Sequence, residues 1–313
     1  MTSDTSRALA EVTFMGWPAF ELRQGGLSLH VVPSVGGRLM GIALDGEELC
    51  WVNPQLHGRH ASDDPAVWAE LCGDWRFPLW GGGKTWLAPE SAWPGGAPQR
   101  DLDSGAWRVT ETWFDAVSMG IEVESPVCRD TGLQLRRRLT LPANATAWHL
   151  EQTALNRAAA PRRFGLWDVL MLKRPARVSV PVQGAWQDAV EALPGKPSID
   201  ALRDQGVLRP EADRIEVACG RPGMFKCGFA SRTGEIRAEF GAALSGWRFE
   251  RRAPVPHGAR YAHGQPLELY NAPVLPYFEI EAHSPEITLQ PGEHFAYGFE
   301  DAVMRSSPPR RAA

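Results

Sequence analysis

Between Leu133 and Leu141 the chain reads Leu-Gln-Leu-Arg-Arg-Arg-Leu-Thr-Leu, with leucine at every second position except where Arg137 interrupts. Side chains along a strand alternate between faces, so Leu133, Leu135, Leu139 and Leu141 share one face and Gln134, Arg136, Arg138 and Thr140 the other. Similar short runs, rich in β-branched, aromatic or alternating residues, cover Leu27–Val32, Arg38–Leu44, 107–113, Ser118–Glu124, 147–155, 164–172, 236–240, 267–270, Tyr277–His283 and 294–299. Gly, Pro, Asn or Asp separates them. Helix signals are few. Asp63-Asp-Pro-Ala-Val-Trp-Ala-Glu-Leu71 has a cap residue and a proline in its first turn, and 198–205 is a second candidate. These patterns predict an all-β chain with few short helices. One large domain is expected over residues 12–303, between a flexible start (1–11) and a flexible Pro/Arg/Ala-rich tail (304–313).

At 313 residues the chain can bury most of its surface without disulfide or metal staples. A net charge of −4 gives no basic footprint for nucleic acid, and no apolar stretch approaches membrane-spanning length. No signal peptide is visible at the N-terminus. The five cysteines (Cys50, Cys72, Cys128, Cys219 and Cys227) fit neither a disulfide framework nor a zinc site, which predicts buried thiols and a cytoplasmic setting. His57 and His60 have metal-like spacing but lack a third ligand nearby, so no metal and no cofactor are expected. Among the 33 basic residues only Lys84, Lys173, Lys196 and Lys226 are lysines.

Residues 79–94, Leu-Trp-Gly-Gly-Gly-Lys-Thr-Trp-Leu-Ala-Pro-Glu-Ser-Ala-Trp-Pro, concentrate three glycines, three tryptophans, Lys84 and Glu90. The glycines allow turns closed to other residues, and the prolines stiffen the second half of the segment. Two readings stand. The segment is an aromatic wall with one cation and one carboxylate as handles, or a cross-over loop whose tryptophans plug the end of a sandwich. A phosphate loop is excluded, because the first glycine of that motif and the apolar helix after it are missing.

Several phrases together resemble the galactose mutarotase-like (aldose 1-epimerase-like) superfamily. They are Val32-Pro-Ser-Val-Gly-Gly-Arg-Leu-Met40 with Leu44-Asp-Gly-Glu-Glu-Leu49, Arg137 in the leucine strand, Asn156 with Pro161-Arg-Arg-Phe-Gly-Leu-Trp-Asp168, and Tyr277-Phe-Glu-Ile-Glu-Ala-His-Ser-Pro285 with Leu289-Gln-Pro-Gly-Glu293. The Gly-Gly-Gly-Lys-Thr-Trp-Leu-Ala-Pro-Glu run resembles one branch of it, the DUF4380 family. The resemblance implies a β-supersandwich with a sugar-sized cleft across a concave sheet. It implies a small-molecule sugar or sugar derivative as ligand, and fixes neither which sugar nor an oligomeric state. True mutarotases carry a histidine motif for the general acid. Here Trp167 or Asp168 stands where that His is needed, while Glu281 matches the setting of the family's catalytic base.

The residues themselves support several roles. Along Tyr277–His283, Tyr277, Glu279, Glu281 and His283 share one face and Phe278, Ile280 and Ala282 the other. Glu279 and Glu281 then lie about 7 Å apart, close enough to raise one pKa in a dry cleft. Mutarotation needs a base at the anomeric hydroxyl and an acid at the ring oxygen, so Glu281 and His283 are the catalytic candidates, with His263 or Lys84 as a spare acid. The bland alternative is an exposed polar face of an edge strand. Arg38, Lys84, Trp86, Glu90, Arg137, Trp167 and Glu279 are the candidate sugar-binding residues. Arg137 is expected to pair with Glu279 or Glu281, or else to snorkel to a sheet edge. Arg38 either reaches the cleft or pins its turn. Asp168, on an apolar face, requires hydrogen bonds or a cation. The expected function is an aldose 1-epimerase-like isomerase. The alternatives are a non-catalytic carbohydrate-binding protein using the same cleft, and a lyase or hydrolase.

Overall fold

The computed structural model describes residues 6–240 and 246–305. Each strand-like run of the sequence forms a strand, and the runs assemble into two sheets paired throughout in antiparallel fashion. One sheet has the order Arg7–Phe14, Trp17–Gln24, Leu27–Val32, Arg38–Leu44, Gly83–Ala88, Arg162–Lys173, Tyr277–His283, Leu267–Asn271, Phe225–Phe229, Val190–Ala192. The other carries Leu133–Pro142 between Ser118–Glu124 and Ala147–Asn156, and continues through His294–Arg305, Trp247–Arg252 and Glu235–Phe240. The leucines of Leu133–Pro142 are buried in the core between the sheets, as the alternation requires. The helix Pro65–Cys72 is capped by Asp64, whose side chain accepts from the Ala66 and Val67 amides. Ser198 caps Ile199–Asp204 in the same way.

Three expectations change. The first strand begins at Arg7 and the last runs to Arg305, so residues 7–11 and 304–305 belong to the sheets rather than to loose ends. Residues 1–5 and 306–313 lie outside the described residues. The Tyr277–His283 strand lies inside its sheet, and all seven of its residues are buried. Finally, the glycine run is a turn only in part. Gly81 and Gly82 have positive φ, and a Cβ on Gly82 would come within 2.8 Å of the Leu39 carbonyl oxygen and the Met40 Cα. From Gly83 the chain is a strand, paired with Arg162–Lys173 on one side and touching Arg38–Leu44 on the other. A segment read as a loop bordering the sheet is therefore one of its central strands. All five cysteines are free and buried, and among the described residues no helix is long and apolar enough to cross a membrane.

Candidate functional site

Register decides what meets on the outer face of the first sheet, the face turned away from the second. Trp86 pairs with Trp167, which pairs with His283; in the next row Lys84 pairs with Val169, Val169 with Glu281, and Glu281 with Glu268. A third row holds Met171, Glu279, Tyr270 and Lys226. Alternation sends Phe278, Ile280 and Ala282 into the main core, as expected.

Two similar units result. Lys84 Nζ lies 4.2 Å from the centre of the Trp86 ring and 3.3 Å from Glu279 Oε1. Lys226 Nζ lies 4.6 Å from the Trp167 ring centre, 2.9 Å from Glu281 Oε2 and 2.8 Å from Glu268 Oε2. Trp167 Nε1 donates to the same Glu281 oxygen at 2.7 Å, and Glu281 Oε1 has no partner among the described residues. His263 and His283 close the cluster at 3.4 and 3.3 Å from the Glu268 carboxylate. The His283 contact has the distance of an ion pair but not the angles of a hydrogen bond.

Electrostatics separate Glu281 from Glu268. Burial pushes Glu281 well above the usual carboxylate range against the pull of Lys226, with Glu268 and Glu279 adding to the rise. Burial also opposes charge on Glu268, but His283, Lys226 and His263 together hold it well below that range. Burial works against the Lys226 ammonium as well, yet Glu281 and Glu268 outweigh it and keep the lysine charged. Lys84 is lowered by burial despite Glu279, and His283 is lowered by burial despite Glu268. The cluster thus sets two carboxyls pushed in opposite directions, Glu281 up and Glu268 down, around one ammonium.

Above it lies a cleft of about 760 Å³ lined by Trp93, Glu90, Arg76, Lys196, Lys226 and His263, among others. Glu90 is exposed at its edge, and its backbone amide donates to His263 Nε2 at 3.1 Å, tying the residues after Pro89 to the cleft floor. Glu281 and Glu268 have no exposed surface, so Lys226 and His263 are the members of the cluster that line the cleft.

The tryptophans divide between the two readings. Trp80 is a plug: it is fully buried against Trp17, and its Nε1 donates to Ser104. Trp86, Trp93 and Trp167 form a cluster of their own on the outer face, with ring centres 5.0–5.6 Å apart. They cover one another, are only 2–7 % exposed, and give their N–H groups to Asp103, the Leu87 carbonyl and Glu281. Of the three, Trp93 lines the cleft, while Trp86 and Trp167 support its floor.

Neither predicted arginine lines the cleft. Arg137 points into the core between the sheets, because its strand alternates inward at that position. It donates to the Gly83 and Gly37 carbonyls and lies 3.4 Å from Asp168, so it pairs with neither Glu279 nor Glu281, whose side chains occupy the opposite face. Arg38 is buried and pins its surroundings, donating to Asp103 and to the Gly81 carbonyl. Glu268, Lys226, Arg76 and Lys196 were not assigned roles from sequence. Lys196 and Lys226 had one signal, their membership of a set of four lysines.

No family model and no curated protein sequence matches the chain. Solved structures do. A galactose mutarotase-like protein from Clostridium acetobutylicum aligns over 96% of this chain and 100% of its own, with a TM-score of 0.57 and 11% identity. The fold is that of the galactose mutarotase-like proteins. Galactose 1-epimerase from Lactobacillus acidophilus aligns over 97% and 100%, with a TM-score of 0.55 and 13% identity. A TPR-domain containing protein from Parabacteroides distasonis matches 95% of this chain at a TM-score of 0.57 and 12% identity, and this chain spans about half of its length. The mutarotase-like resemblance read from the sequence holds for the fold, while the likeness to the DUF4380 branch rests on the Gly81–Glu90 run alone.

Proposed function

We propose that the cleft above Lys226 and His263 binds a carbohydrate or sugar derivative. The observation that carries this is a cleft of small-molecule size, fronted by one aromatic face and several charged groups, on the outer face of a mutarotase-like sheet. Trp93 supplies the apolar surface, and Lys226, Arg76, Lys196 and Glu90 supply polar handles for hydroxyls or an acidic group. Lys84, Trp86, Trp167 and Glu279 act from beneath, by holding the floor in place. Arg38 and Arg137 serve as framework.

A second reading, interconversion of sugar anomers, is favoured by one feature: a fully buried carboxyl, Glu281, whose hold on a proton burial strengthens, directly under a lysine that reaches the cleft. On this reading sugar entry draws Lys226 aside and exposes Glu281, which exchanges a proton with the sugar while His263 or His283 handles the other. A Glu281 that carries its proton at sugar entry acts first as the acid and becomes the base in the return step.

The two readings separate in one set of experiments. Titrating neutral, amino and acidic sugars should change the tryptophan fluorescence for at least one class, and Trp93→Ala should weaken that response about tenfold. Silence across the whole panel sinks the carbohydrate reading. Polarimetry of freshly dissolved aldoses should show acceleration that falls at least a hundredfold in Glu281→Gln, the usual scale for a proton-transfer group. Binding without acceleration leaves the non-catalytic reading standing.

A further inference from the structure

His263, on the loop before Leu267–Asn271, Glu268 on that strand and His283 on its neighbour Tyr277–His283 meet at one end of the cleft floor. Each offers a ligand atom within 4.8 Å of the other two, and the imidazole rings are 4.8 Å apart. His283 is 1% exposed, and neither of its ring nitrogens makes a hydrogen bond to the described residues. Glu268 is fully buried, and its Oε1 accepts none either. A neutral imidazole carries one donor and one acceptor, and nearly all such buried groups in folded proteins are satisfied. Here an orphaned imidazole, a half-used carboxylate and a second imidazole face the same point.

We propose that His263, Glu268 and His283 form a binding site for a divalent transition-metal ion, with zinc the best match. Two imidazoles and one carboxylate are a ligand set of catalytic zinc sites that keep a fourth position open. With zinc–ligand distances of about 2.0–2.2 Å, neighbouring ligand atoms of a tetrahedron lie about 3.4 Å apart. Measured to one oxygen, Glu268 Oε2, the separations from His283 Nε2 and His263 Nδ1 are 3.3 and 3.4 Å and already have that length. Only the edge between the two histidines has to close. Nitrogen donors argue against calcium or magnesium, which prefer oxygen.

Lys226 is the competing cation, and the carboxylate has room for both. Oε2 holds the ammonium at 2.8 Å, and when the metal takes that oxygen the ammonium can pass to Oε1, which accepts no hydrogen bond from the described residues. The open fourth position faces the cleft, which His263 lines. One consequence is specific to this geometry. Metal on His263 Nδ1 moves the ring proton to Nε2, which can then no longer accept the Glu90 amide. Loading the site therefore loosens the segment after Pro89.

The test uses the full chain, stripped with chelator and dialysed against micromolar zinc chloride without sugar, so its outcome is independent of the carbohydrate reading. Atomic emission should find one zinc per chain. His283→Gln and Glu268→Gln, checked for folding by near-ultraviolet circular dichroism, should each lower affinity at least tenfold, whereas His57→Gln/His60→Gln should retain it. Cobalt loaded into the wild type should give the intense visible bands of a tetrahedral ion, a readout that stands even if a variant fails to fold. Less than a tenth of an equivalent of zinc, undiminished binding in the folded single variants, or the weak bands of octahedral cobalt would each overturn the site.

Discussion

Two buried ionic networks lie on opposite faces of the strand Arg162–Lys173, anchored by adjacent residues. Asp168 points inward, where Arg251 bridges it to Asp301 at 2.7–2.9 Å and Gln152 donates to it at 2.6 Å. Trp167 points outward to the lysine and glutamate network under the cleft. In the inner network both oxygens of both carboxylates accept hydrogen bonds, and Arg251 and Arg137 balance Asp168 and Asp301 in charge. The outer one sets Lys84 and Lys226 against Glu268, Glu279 and Glu281, and leaves an oxygen on two of those carboxyls without a partner. Guanidinium forks fix planar geometry, whereas an ammonium is a point charge that tolerates rearrangement. Similar burial thus yields scaffolding on one face and unspent binding capacity on the other.

The largest expected difference is in stability. Arg251→Met leaves Asp168 and Asp301 buried without their shared cation and should cost about 3–5 kcal/mol in urea unfolding. A loss below about 1 kcal/mol would erase the distinction between the networks. A smaller effect lies in pH dependence. Because Glu281 is held above its ordinary value, the folded chain keeps a proton that the unfolded chain releases above about pH 4.3. Its contribution to stability is therefore complete below that pH. It declines by up to about 1.4 kcal/mol per pH unit as pH rises toward the folded value. Urea midpoints between pH 5 and 8.5 should show Glu281→Gln with a flatter slope than the wild type. Equal slopes would mean that the outer network is as settled as the inner. The smallest effect concerns the latch. His263→Ala removes the acceptor of the Glu90 amide, worth about 1 kcal/mol, so exchange of that amide should quicken about fivefold. Unchanged exchange would show that the latch does not hold the loop.

The strands of regular alternation were legible, because a period of two is a local signal. Leu133–Pro142 and Tyr277–His283 could be read with their facing residues correct. Two kinds of segment were not. Gly83–Ala88 was hidden behind glycines that resemble a loop, and Trp247–Arg252 hides its inward Arg251 in a run of charges. Phe225–Phe229 is short and buried on both faces, so no alternation marks it. Glu281 and His283 could be singled out from one strand. Their partners Lys226 and Glu268 could not, since they depend on which strands become neighbours, a fact set by pairing across the whole sheet. Arg137 failed for the same reason: its face was predictable, but not which side of the other sheet its supposed partners would occupy.

The strands that carry the cleft floor also fix when it can exist. Lys84 and Glu279 are separated by 195 residues, and the strands bearing Trp167, Lys226 and Glu268 are contributed in between. As the chain leaves the ribosome, both lysines emerge before any of the three carboxylates that neutralise them. Pairing over such separations bears a loop-closure cost before any contact repays it, which makes assembly slow. The first sheet must wait for nearly the whole polypeptide before its centre closes, so the cleft is a late product of folding.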